Sequence, residues 1–519
     1  VALGVILLIT VATLAALWLA LAPRLRFLVG RHEFAVAVLL PTIAMFSPHY
    51  LFFALAAGGL VAMAPAFGPT GRPSEMEHRL RLLMFCLLLL PPLQYTMMLS
   101  SFTIAQLQSG VILCAGVAVA IMISGLATPR SRLAGWDLTF AAMMAAQLFM
   151  DARSEDLAFT LRMVVQIGLN MGLPYFIVSR AFASVREPAW LLLALLFGTC
   201  VIASIAIIES FRHWLLYEAM ISHAGADAET VSGYTKMRGG MLRARATFPE
   251  STGLSLYLGV ALTLLFGLRK QLGSARLLWV MASLLAVGLM VTFARVGYIA
   301  VGIGLVACLV YERRYRSLSK VLLVMPIIAL ALVAMAGSVP FIAASIGTSS
   351  DAEGSVDYRS MLIDAGLAIV RDHPIAGLRM VDLLNRLEPL RQGEGIVDLV
   401  NQPLTILMRG GLVFGFLYGL MTFRVISALY RRRRLATDPA TRACASAFFG
   451  ALVGLLMALM TTSFGRNEFT FILLLAAGAG IVARRVPVRA VQPKATANSV
   501  LPIQPAAAPA TAVPSMINS

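Results

Sequence analysis

The chain has 519 residues, of which 59% are hydrophobic and only 13% charged, with a formal net charge of +17. Apolar runs of membrane-crossing length recur along most of it, which excludes a water-soluble globule. The positive excess does not point to nucleic acid, because the basic residues fall in short clusters between the runs, the usual marking of cytoplasmic loops.

The first run, 2–22, has no basic segment ahead of it and carries its positive charge afterwards, in "LAPRLR". It therefore reads as a first span rather than a signal peptide. Further runs lie near 34–47, 50–67, 81–99, 108–126, 136–150, 157–178, 189–209, 252–267, 277–293, 296–311, 319–337, 404–429, 444–463 and 469–483. By length these are about fifteen candidate spans, with 34–67 readable as one broken element or two. The expected architecture is all-α: a polytopic transmembrane helical bundle with two long extracytoplasmic loops containing amphipathic helices. N-terminal transmembrane helices occupy 1–209, a first loop 210–251, central transmembrane helices 252–337, a large loop 338–403 and C-terminal transmembrane helices 404–484. The tail 485–519 is rich in Ala and Pro ("PIQPAAAPATAVP") and is expected to be cytoplasmic and disordered. Within 338–403, Tyr358, Met361, Leu362, Ala365 and Ile369 make one apolar helical face, and Met380, Leu383, Leu384 and Leu387 another. Such helices lie on a membrane surface or cap a bundle.

The short connections "RLRFLVGR", "GRPSEMEHRLR", "TPRSR", "SRAFASVR", "LRKQLGSAR", "YERRYR", "YRRRR" and "ARRVPVR" alternate with weakly charged or long ones. The positive-inside rule makes the basic set cytoplasmic. It leaves outside "FSPHY", "SSFTIAQ", 151–156, 210–251, the turn at Ala294–Arg295, 338–403 and "FGRNEF". No cytoplasmic connection then exceeds roughly a dozen residues, too few for a folded domain. With no Walker A motif either, an ATP-driven pump and a cytosolic nucleotide-sugar glycosyltransferase are both disfavoured. The five cysteines (Cys86, Cys114, Cys200, Cys308 and Cys444) lie within or beside apolar runs without CxxC spacing, and the six histidines form no metal motif. No metal and no cofactor is expected.

Arginines on the outer side run against the charge rule and so carry information. Arg238, Arg243 and Arg245 fall in the first loop, Arg295 in the turn of "TFARVGY", Arg359 in the second loop, Arg409 in the span after it and Arg466 in the last outer turn. A single loop arginine ordinarily faces solvent or a headgroup. Arg245 and Arg295, however, abut apolar runs, where a charge is costly unless paired or functional. Guanidinium groups gathered on one face would bind phosphate oxygens bidentately. Outside the cytoplasm an activated sugar donor must be carried on a lipid, usually through a diphosphate, and arginines can stabilise that group as it leaves. Glu250, in "RARATFPESTG", would complement them by accepting a proton from an acceptor hydroxyl. A structural ion pair with Arg245 or Arg243 is an equal alternative.

Three stretches together resemble the O-antigen ligase and Wzy-type polysaccharide polymerase superfamily. "RARATFPESTGLSLYL" is similar to its arginine-containing start of a span, and "VTFARVGYIAVGIGL" to its Ser-x-Ser-Arg-Gly segment with Arg295 at the arginine. "DYRSMLIDAGLAIVRDHPIAGL" is similar to its Arg…His-Pro-x-x-Gly stretch, with Arg359, His373, Pro374 and Gly377 in place. One departure concerns the histidine that the ligases carry near the end of the large loop, held to be the base for the acceptor hydroxyl. In "LVNQPLTILMRGG" that position is Val400, followed by Asn401, nine residues and Gly411. The base role then moves to Glu250 or a loop carboxylate such as Asp398, while His373 reads as a helix-ending residue.

The resemblance implies a bacterial inner-membrane enzyme with its active site on the periplasmic face. It would join undecaprenyl-diphosphate-linked oligosaccharide repeat units into exopolysaccharide, capsule or O-antigen, without a metal. Glu250, Arg245 and Arg295 are the expected catalytic residues, and Arg238, Arg243, Arg359, Asn401, Arg409 and Arg466 the expected substrate-binding ones. A flippase, chain-length or export proteins and membrane lipids are the expected partners. The alternatives are an O-antigen ligase acting on lipid A–core and a protein O-oligosaccharyltransferase. A transporter of lipid-linked glycan is the alternative of another class. A transporter needs ionisable groups along a midplane path, and these spans nearly lack them, Arg162 in "FTLRMVVQIGLN" being the exception.

Overall fold

Lipid offers the backbone no hydrogen-bond partners, so apolar runs of this kind close their bonds internally as helices. The computed structural model describes residues 1–21, 23, 26, 29–46, 50–62, 75–87, 89–90, 94–99, 102–123, 130–153, 157–223, 237–238, 240–339, 342–343, 351–391, 397–435, 438–463 and 468–484. Arg466 and the tail 485–519 lie outside the described residues. Among the described residues the chain is all-α apart from two short hairpins. In order come α1 (Ala2–Ala20), α2 (Arg31–Phe46), α3 (Tyr50–Ala62), α4 (Glu75–Cys86), β1 (Gln94–Leu99), β2 (Phe102–Gln108), α5 (Ser109–Ile123), α6 (Arg130–Ala152), α7 (Leu157–Ile167) and α8 (Leu173–Ser184). The first half ends with α9 (Pro188–Arg212), α10 (Leu216–His223), β3 (Met237–Arg238) and β4 (Met241–Leu242). The second half holds α11 (Ser251–Leu268), α12 (Ala275–Met290), α13 (Val296–Tyr311), α14 (Tyr315–Ala336), α15 (Asp351–Asp372), α16 (Met380–Arg386), α17 (Gln402–Leu435), α18 (Pro439–Leu459) and α19 (Glu468–Ala483).

Among the described residues, eight helices are long and apolar enough to cross a membrane, and four shorter apolar ones accompany them. The expected span at 81–99 is not one helix. α4 stops at Cys86, and 94–99 pairs antiparallel with 102–108. The sequence places Pro91 and Pro92 between them, and a proline removes an intrahelical donor. The 34–67 region forms two helices, α2 and α3, and the 157–178 run is α7 and α8 joined by a π-helical turn at Gly168–Gly172.

α9 is the central post, buried along 89% of its most apolar window and packed by α1, α4, α11, α12 and α18. Beside it, α11, α13 and α18 approach closely, because small residues line their crossings. A Cβ on Gly450 would stand only 2.8 Å from the Gly304 carbonyl oxygen.

The connections sort into two ends. At the basic end Ser274 donates to Ala20 O (3.1 Å), Arg269 pairs with Glu312 (2.6 Å), and the Tyr311 and Tyr430 rings meet. Arg432 bonds Val482 O there, Arg484 bonds Arg186 O, and the Arg186 N–H bonds Glu77. The expected cytoplasmic connections therefore share one end wherever they are described. The opposite end gathers 151–153, 209–218, 238, 240–250, 291–295, 373–378 and 409–413 through contacts given below.

The large loop supplies a lid at that opposite end. Tyr358, Leu362 and Ile369 of α15 pack with Leu383 and Leu387 of the α16 region and with Leu404 and Met408 of α17 as a second core. The two expected apolar faces thus meet each other; Met361 and Met380 stay outside at 50% and 39% exposure. The lid is locked where α17 breaks, at Gly411 (φ 59°, ψ −162°). Leu412 N donates to Pro374 O (2.7 Å) and Leu378 N to Met408 O (2.7 Å), so the His-Pro segment supplies the partners the break exposes. A Cβ on Gly411 would overlap the Ile375 carbonyl, and its φ and ψ are open essentially to glycine alone. Gly411→Ala should therefore lower stability in detergent or nanodiscs by about 1–3 kcal/mol, read from denaturant or thermal unfolding; an unchanged midpoint would contradict this account of the break.

Candidate functional site

The first loop returns to the bundle through 243–245 and a turn over 246–250 that leads into α11, and it is stitched to the turn between α12 and α13. Ala244 N donates to Val291 O (3.2 Å), Arg243 Nε to Thr292 O (3.2 Å) and Arg238 Nη1 to Phe293 O (2.9 Å). On the other flank, Ser255 Oγ donates to Ala294 O (2.8 Å) and accepts from Gly297 N (3.1 Å). Phe293 and Ala246 hold φ values of 50° and 45°. Each such backbone position costs ~1–3 kcal/mol and persists only where its surroundings fix it. Phe293 is fixed by complete burial, and Ala246 by its N–H bond to Glu209 Oε2 (2.8 Å).

This stitching gathers positive charge. Burial, and then the Arg238 charge, push the Arg243 guanidinium down to about 10, with Glu250 opposing. Arg295 is likewise lowered by partial burial, then by Arg238 and by Arg359 of the lid. The Arg238 charge thus acts on both Arg243 and Arg295, the Arg359 charge on Arg295, and the Glu250 carboxylate on Arg243. Like charges held together on a rigid frame are unfavourable when empty and favour a multiply charged anion. Glu250 is exposed at the N-terminus of α11, its carbonyl accepting from Leu254 N and its carboxylate from Thr252 Oγ1 (3.1 Å).

Arg245 points elsewhere. Its Nη2 pairs with Glu218 of α10 at 2.6 Å and its Nη1 reaches Pro249 O at 3.4 Å; the paired side chains are only 11% and 26% exposed. Asn401 caps α17, its carboxamide oxygen accepting from Leu404 N (3.1 Å). Arg409 pairs with Asp151 at 2.5 Å, and Arg153 beside it donates to Ala376 O (2.6 Å), Gly377 O (3.2 Å) and Arg409 O (3.2 Å). Asp151, Arg153 and Arg409 thus clamp the lid to the end of α6. Val400 packs against the lid core, Tyr358 donates its hydroxyl to Asp398 O, and His373 closes α15.

Sequence reasoning missed Glu209, Glu218, Asp151 and Arg153. Glu209 was readable, since an ionisable residue ending a long apolar run is a functional candidate by default. Asp151 and Arg153 sit in the polar stretch "DARSED" with nothing to mark them, and Glu218 sits in the first loop with its partner far along the chain. Among the described residues, no three His, Cys, Asp or Glu side chains are grouped as a metal site requires.

Residues 280–420 match the family model described as O-Antigen ligase. The match supports the O-antigen ligase and Wzy-type superfamily, and with it an enzyme of ligase or polymerase type acting in polysaccharide biosynthesis. It includes Arg295, Arg359, Asn401 and Arg409 and stops short of Arg238, Arg243, Arg245 and Glu250. No curated protein matches the chain.

The Arg245–Glu218 pair is enclosed enough for the two residues to be energetically coupled. A double-mutant cycle of Arg245→Ala and Glu218→Ala should give a coupling of about 0.5–3 kcal/mol in unfolding. Arg245→Lys should restore only part of it, because lysine keeps the charge but cannot span Glu218 and Pro249 together. Strictly additive single substitutions would show the pair to be incidental.

Proposed function

We propose that this chain is a bacterial inner-membrane polymerase that joins oligosaccharide repeat units carried on undecaprenyl diphosphate, working at the periplasmic face. The reading is carried by the meeting of Arg238 and Arg243 on the turn that leads into Arg295, at the end of the bundle opposite the basic connections, with the Arg359 charge acting on Arg295. The positive-inside rule assigns that end to the outside, where a sugar donor comes on a lipid.

In the proposed reaction an acceptor sugar hydroxyl attacks the anomeric carbon of the donor chain with inversion. A carbon–oxygen bond forms there as the bond to the diphosphate oxygen breaks. The departing undecaprenyl diphosphate takes up the bonding pair, and the clustered guanidinium groups neutralise it. Arg243 and Arg295 line that charge from the bundle side, and Arg359 reaches it from the lid. Arg245 acts through its pairing with Glu218, which keeps the loop in register. Glu250, exposed beside the field of Arg243, accepts the hydroxyl proton. Asn401 and Arg409 serve the site through the lid, by starting α17 and clamping α6. The valine at position 400 favours a polymerase, since the ligases' histidine is absent there.

Purified protein in nanodiscs, given lipid-linked repeat units alone, should build a ladder of longer lipid-linked chains. Glu250→Gln should slow the ladder by roughly 10²–10⁴, the usual cost of a lost general base, while leaving donor binding intact. Product that forms only when lipid A–core is added would replace the polymerase reading with ligation. Normal growth by Glu250→Gln would take the base role from Glu250.

A further inference from the structure

Glu209 is 1% exposed, on the most enclosed of the membrane-spanning helices. A buried carboxylate is costly unless its oxygens are bonded, and these are. Oε1 accepts from Leu216 N (3.1 Å), and Oε2 accepts from Ala246 N (2.8 Å) and Arg245 N (3.4 Å). The next residue, Ser210, donates its hydroxyl to Leu242 O at 2.8 Å. Two consecutive side chains at the end of α9 therefore hold the backbone on both sides of Arg243. The same carboxylate fixes the first residue of α10, whose Glu218 two positions later pairs with Arg245. The loop and α10 are set against each other by this single group.

Charge and chemistry make a carboxylate the group suited to this task. Every partner is a backbone donor, and an ionised carboxylate accepts on both oxygens. A glutamine could serve one arm with its oxygen, but its NH₂ would face N–H donors on the other and leave them unbonded. Whichever arm the NH₂ takes, the joint hold on Leu216 and on Ala246 (φ 45°) is broken.

We propose that Glu209, with Ser210, is a positioning residue for the donor site: it sets the Arg243 and Arg245 backbone so that the guanidinium cluster is formed before the lipid diphosphate arrives. The proposal rests on the reading that this cluster binds the donor's diphosphate. Neither residue touches substrate; both act through the backbone of 242–246. A misplacement of about 1 Å at such a site costs on the order of 10²-fold.

The test measures binding of undecaprenyl diphosphate to the full chain in nanodiscs, alongside its thermal midpoint. Glu209→Gln should weaken binding roughly 10- to 100-fold. Glu312→Gln, which removes a similarly enclosed ion pair at the opposite end (Arg269–Glu312, 12% and 14% exposed), is the stability control. It should lower the midpoint as much as Glu209→Gln does and leave binding unchanged. If Glu209→Gln cannot be recovered folded, Ser210→Ala removes the hold on Leu242 alone and should weaken binding in the same direction. Binding unchanged in Glu209→Gln, or in Ser210→Ala where that variant stands in, overturns the proposal when wild type binds and Arg243→Ala does not. Absence of binding by wild type overturns the donor reading itself, and the proposal with it.

Discussion

The carbonyls of Thr292 and Phe293, beyond the end of α12, are met by the guanidinium groups of Arg243 and Arg238. The last carbonyls of α12 are met by the N–H groups of 291–293; the turn that follows must satisfy its own carbonyls from within the protein, and at Thr292 and Phe293 the donors are arginines from a distant loop. That exchange fixes the turn that carries Arg295 and turns a backbone requirement into a concentration of positive charge. Each arginine still has nitrogens beyond the one used, since the guanidinium offers five N–H donors. The same side chains can thus brace the frame and face an anion.

The frame beneath this exchange is layered. Ser255 holds the far side of the turn, and Glu209 and Ser210 hold the loop from α9. α9 is in turn wrapped by five helices. The lid, whose Arg359 charge acts on Arg295, is fastened at the Gly411 break and the Arg153 clamp. Both fastenings use backbone carbonyls of the stretch from Pro374 to Gly377, so the position of the lid is set chiefly by main chain.

Much of this was legible in the sequence, for physical reasons that differ by residue. Arg245 and Arg295 stood out because charge beside an apolar run on the outer side breaks the usual distribution, yet the structure pairs Arg245 with Glu218 and sets Arg243 against the turn that carries Arg295. The lid helices stood out because Tyr358, Leu362 and Ile369 repeat at helical spacing. Asn401 drew attention by its place after Val400 in the family's pattern and Arg409 as an arginine on the outer side, and the structure engages them in a helix cap and an ion pair. Composition cannot separate these uses, because a cap and a ligand-binding amide look alike in one dimension. The hairpin at 94–108 escaped because its apolar content matched a span; Pro91 and Pro92 were the signal against one. Glu218 was hidden because its partner lies 27 residues on, with no periodicity to link them.

The central claim is that the arginine frame at the outer end receives the diphosphate of a lipid-carried donor. A structure of the full chain in nanodiscs with undecaprenyl diphosphate bound tests it most directly. The account predicts diphosphate density in contact with the guanidinium groups of Arg243 and Arg295, with the isoprenoid running into the bilayer beside them. Density at the basic end, among Arg269, Arg432 and Arg484, with the outer arginines unoccupied, would contradict it.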